Sequence, residues 1–141
     1  MSKICIAGEY EITAEHFQIF IKETEKFIKF FGLYDWRVEF QHHDVQKNGS
    51  AAECHVLHQG KVATLSLATK WNDRIPTYEN LRWCAFHETC EILCADIESA
   101  ARDPDLTPQL RAERLEREQH TLIRRLENCV LPLLPCSPAE K

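Results

Sequence analysis

His87 stands four residues before Glu91 in the segment AFHETCEIL, residues 85–93. On a helix, side chains four apart lie one turn apart on the same face, so an imidazole and a carboxylate at this spacing reach one cation together. Glu88 projects about 100° round the axis from His87, beside such an ion rather than at it. The chemistry this spacing allows is metal-assisted attack of water, with His87 and Glu91 as ligands. A third ligand leaves one position open for water. The last apolar stripe of the chain, Leu110, Leu115, Leu122, Ile123, Leu126 and Val130, is broken by polar residues between Leu115 and Leu122. Glu118 in that break is the predicted third ligand, with its neighbours Glu116 and His120 as alternatives within a shift of one or two residues.

These residues need helices to hold them. Over 81–100, Leu81, Ala85 and Ile92 form one apolar stripe and Phe86, Cys90, Leu93 and Ile97 a second, so the helix is expected to be largely buried. Trp83, His87, Glu91 and Cys94 run between the stripes, with Glu88 at their edge. Thr77 is the predicted N-cap and the segment 102–105 the end of this helix. Thr107-Pro108 opens a last helix, to about Val130, and the Pro-rich tail 131–141 cannot continue it. Upstream, Thr13 caps an amphipathic helix from Ala14 to Phe31 that Gly32 closes. Trp36, Val38 and Phe40 alternate with polar residues as a strand, followed by an Asn48-Gly49 turn. Ala51 to Leu57 and Lys61 to Lys70 read as a hairpin about Gln59-Gly60. The expected fold is α+β, one domain over 1–141: a helix, a three-stranded antiparallel sheet, the motif helix and a C-terminal helix.

The chain of 141 residues carries 17 Lys and Arg against 22 Asp and Glu, a net charge of −5, opposite to what phosphate neutralisation requires. Nucleic acid is not an expected partner. Nothing approaches the roughly 18 apolar residues of a membrane span and the N-terminus has no long apolar core, so a cytoplasmic protein without a membrane partner is expected. The seven cysteines show no CxxC pair and read as reduced packing residues. His42, His43, His55 and His58 read as surface or partly buried residues, which leaves His87 as the strong candidate.

His87-Glu88-Thr89-Cys90-Glu91 has the form HExxE. With the order helix, small sheet ending in KVATLSLATKW, motif helix and a last helix bearing EREQHTLIRRLENCV, it resembles the small zincin-like metallopeptidases of phages and prophages, over 36–130. In them the motif is HExxH, and gluzincin-like members add a Glu from the last helix. The resemblance implies His87 and Glu118 as ligands, Glu88 as the general base, and a peptide lying along the strand from Ala63 to Ala68. Glu91 fills the second ligand position with a carboxylate, which moves preference from Zn²⁺ toward Mn²⁺ or Fe²⁺. The expected activity is metal-dependent hydrolysis of peptide bonds. The alternative is a zincin-like module that binds a host or phage protein without catalysis.

Overall fold

The computed structural model describes residues 9–45 and 50–135. Ile4, Ile6, Cys5, Cys136 and the Asn48-Gly49 turn lie outside the described residues. The elements in chain order are β1 (Tyr10–Glu11), α1 (Ala14–Phe31), β2 (Arg37–His42), β3 (Ala52–Leu57), β4 (Val62–Leu67), β5 (Lys70–Trp71), α2 (Tyr78–Arg102) and α3 (Pro108–Cys129), then a 3-10 turn, Leu131–Leu133. The architecture is α+β, with two small sheets, β1–β5 and β2–β4–β3.

The helices begin and end where their caps dictate. Thr13 Oγ1 accepts from the His16 amide at 3.2 Å while His16 Nδ1 accepts from the Thr13 amide at 3.0 Å, a reciprocal box at the start of α1. Gly32, at φ +67°, ends that helix in a conformation that residues with a Cβ rarely adopt. Thr77 Oγ1 and Thr107 Oγ1 accept the corresponding amides, of Asn80 and Leu110, at the starts of α2 and α3.

The three-stranded sheet is mixed, which corrects the antiparallel expectation: β4 pairs antiparallel with β3 but parallel with β2. Alternation along β2 assigns each side chain to a face, but it does not choose the partner strand. The most apolar strand, VATLSL, takes the centre, with Ala63, Leu65 and Leu67 fully buried. This arrangement also removes the strand expected to receive a peptide, since both edges of β4 are already paired. Among the described residues no strand pairs with the outer edge of β3.

The helices cover one face of the sheet. Phe20 of α1 meets Phe40 of β2 edge-on at 6.3 Å, and Phe17 stacks on His42 at 5.0 Å. α1 and α2 run in the same direction, since the contacts Tyr78 to Glu23, Arg82 to Phe27 and Phe86 to Phe31 advance together along both. Glu23, buried between them, accepts the Tyr78 hydroxyl at 2.6 Å and faces Arg82 at 3.5 Å. α3 contains no fully buried residue and lies over the outside of this pair.

Candidate metal centre

The core-facing side of α2 is Leu81, Cys84, Ala85, Glu88, Thr89, Ile92 and Ala95. Glu88 thus belongs to the buried stripe, while Trp83, His87, Glu91 and Cys94 face outward. This corrects the expectation of a helix buried on two sides: Trp83 is 75% exposed and Phe86 45%. The inner face is marked by small buried residues, Ala85, Thr89 and Ala95. Thr89 satisfies its buried hydroxyl by donating to the Ala85 carbonyl at 2.7 Å.

Glu88 has no such satisfaction. It is only 5% exposed, and its Oε2 has no hydrogen-bond partner among the described residues. Burial, reinforced by the neighbouring Glu91 carboxylate and then by the charge of Glu53, pushes its carboxyl up to about 9. A buried carboxyl with a free oxygen costs several kcal/mol unless a proton, a donor or a cation compensates it.

Opposite it on β3, Ala52, Cys54 and Val56 form the series that faces the helices, Cys54 lying directly across from the buried Leu65. Burial, with the charges of Glu91 and Glu88 added to it, pushes the Cys54 thiol up to about 12. Among the described residues, the only set of three or more His, Cys, Asp or Glu side chains within reach of one ion is Cys54, Glu88 and Glu91, whose ligand atoms all lie within 4.8 Å of one another. A sulfur and two carboxylate oxygens round a tetrahedral ion stand about 3.5 Å apart, a distance small side-chain rotations supply. The unsatisfied Glu88 oxygen and this donor set fit a divalent cation.

The predicted ligands are only partly brought together. Glu91 joins the group, and so does Glu88, which the resemblance cast as the base rather than a ligand. His87 is outside the group, exposed, and lines an adjoining cleft of about 380 Å³ with Glu88, Cys84, Trp83, Arg74 and Ala52. Glu118 is half-buried on α3 and also outside the group. One turn before it, Arg114 donates to Asp103 and Ser99 at the far end of α2. That anchor puts the first turns of α3 beside the last turn of α2, away from His87. Glu116 and His120 are exposed. Cys54 was missed because a lone thiol in an apolar strand series reads as packing. The signal available was its position on the helix-facing side of β3, three elements before the motif helix. The five described cysteines are all free thiols.

Comparison with family models, with curated proteins and with solved structures returns no match to this chain. No helix among the described residues is long and apolar enough to cross a membrane.

Proposed function

We propose that the chain is a metal-dependent peptidase of zincin-like type whose cation is held by Cys54, Glu88 and Glu91. The observation that carries this reading is the 5% exposed Glu88 carboxyl, with one oxygen unsatisfied, at the junction of the ligand group and the cleft. A divalent cation there supplies Lewis acidity to a carbonyl and to water.

The chain's own residues supply the rest. The Ala68 amide donates to the Ala51 carbonyl at 3.0 Å, and an antiparallel ladder alternates. Glu53, His55 and Leu57 therefore turn their peptide groups to β4, while Ala52, Cys54 and Val56 turn theirs to the outer edge. An extended peptide adding to that edge passes beside Cys54 and the cleft. His87 and Glu88 exchange the roles implied by the resemblance: Glu88 holds the cation and His87, in the cleft, moves the proton.

The test is cleavage of a quenched-fluorescent peptide library by zinc-loaded protein, with chelator and the variants His87→Gln and Glu88→Gln. His87→Gln is expected to keep its zinc and lose about 10²–10⁴ in rate, whereas Glu88→Gln loses the zinc. A His87→Gln protein that cleaves as fast as the parent contradicts the role given to His87. One observation favours a second reading, a peptide-binding module without catalysis: the only imidazole of the motif lies outside the ligand group. Binding of library peptides without cleavage at any metal loading selects that reading.

A further inference from the structure

We propose that Cys54, Glu88 and Glu91 form a thiolate-dicarboxylate site that selects zinc-class cations (Zn²⁺, Co²⁺, Cd²⁺) over Mn²⁺, Fe²⁺ and Mg²⁺, and that the bound ion clips β3 to α2. The inference rests on the proposed cation at this place but needs no catalysis.

Two observations support it. The first is the ligand geometry, a sulfur and two carboxylates within 4.8 Å, contributed by two elements far apart in sequence. The second is the Glu88 side chain, 5% exposed, aimed into that group with an oxygen that no described residue satisfies. Carboxylates alone favour hard ions. A thiolate in the set reverses this, since soft sulfur discriminates against Mg²⁺ and Mn²⁺ and favours Zn²⁺ and its spectroscopic substitutes. Cys54 is held for that role by the pleat, which sends the side chains of Ala52, Cys54 and Val56 toward α2. The other neighbouring thiols, Cys90 and Cys94 on α2, gather no third ligand of their own among the described residues.

The test is a Co²⁺ titration of the full chain, untagged and stripped of metal by chelator, followed by absorption spectroscopy. One equivalent is expected to produce a near-ultraviolet sulfur-to-cobalt charge-transfer band that Zn²⁺ abolishes and excess Mn²⁺ leaves in place. Cys54→Ser is expected to lose the band with its circular dichroism unchanged. Glu91→Gln changes an exposed residue, so the fold survives even if Cys54→Ser unfolds; it is expected to weaken Co²⁺ at least about tenfold. Absence of the band, its survival in Cys54→Ser, or its loss to equimolar Mn²⁺ overturns the inference. A band without peptide cleavage leaves this site standing and removes the peptidase reading; metal-dependent cleavage without a band removes this site, and with it Cys54 as a ligand, and leaves only the metal-dependent hydrolysis standing.

Discussion

Glu88 is the residue on which the chemistry turns, and its burial has a consequence for stability. Its carboxyl is raised from the usual 4.5 to about 9, so between those values the folded chain keeps a proton that the unfolded chain has released. Fewer protons bound in the unfolded state means that stability falls as pH rises. For this group the fall is at most about 1.4 kcal/mol per pH unit. Metal-free Glu88→Gln is therefore expected to be as stable as the parent near pH 4.5 and more stable by pH 8, with the gap widening between; urea melts at a series of pH values measure it. A parent protein whose stability rises over that range faster than the variant's contradicts the buried, uncompensated carboxyl. The sequence pointed to Glu88 and Glu91 but misjudged which way they face. Helical spacing puts Phe86 in an apolar stripe and Trp83 between two such stripes, yet a helix packed against β3, α1 and α3 leaves its remaining side to solvent whatever its residues. The small residues Ala85, Thr89 and Ala95 carried the better signal.

The elements were readable where local chemistry sets them. Thr13, Thr77 and Thr107 start the three helices, and Gly32 ends the first, because caps act within one turn. Strand partners are long-range, and the run from Arg37 to Leu67 contains nothing that tells β2 to lie parallel to β4. That pairing makes β3 the edge strand beside the motif helix, and proline substitution tests it. Val56→Pro removes an amide that faces away from the ladder and is expected to leave a folded protein, since edge positions tolerate proline, while blocking peptide addition. His55→Pro removes an amide bonded to β4, leaves the facing carbonyl unpaired and is expected to cost about 1–3 kcal/mol. Thermal melts and peptide binding by fluorescence polarisation distinguish the two; equal destabilisation by both variants contradicts the register. The last helix reports its packing through Arg125, which donates to the Gly32 carbonyl at 2.7 Å and to Asp35 at 3.1 Å. Arg125→Ala is expected to loosen α3 from the end of α1 with a loss of about 1–3 kcal/mol.

For the whole molecule, the proposed cation would join the sheet layer to the helix layer through residues 34 and 37 positions apart, 54 to 88 and 54 to 91. A ligand that binds only the folded state stabilises it by mass action, about 2.7 kcal/mol at a hundred times its dissociation constant. In a domain of this size that raises the melting temperature by about 5–10 °C, and the double variant Glu88→Gln/Glu91→Gln is expected to show no rise. The polar break that pointed to Glu118 has a second source, since solvent exposure of a lightly packed outer helix also produces polar breaks, and α3 buries none of its residues fully. The most direct measurement is native mass spectrometry of the full chain titrated with Zn²⁺. One tightly held ion per chain is expected in the parent and none in the double variant. A parent chain that holds no zinc, or a double variant that holds it as tightly as the parent, contradicts a metal centre at Cys54, Glu88 and Glu91.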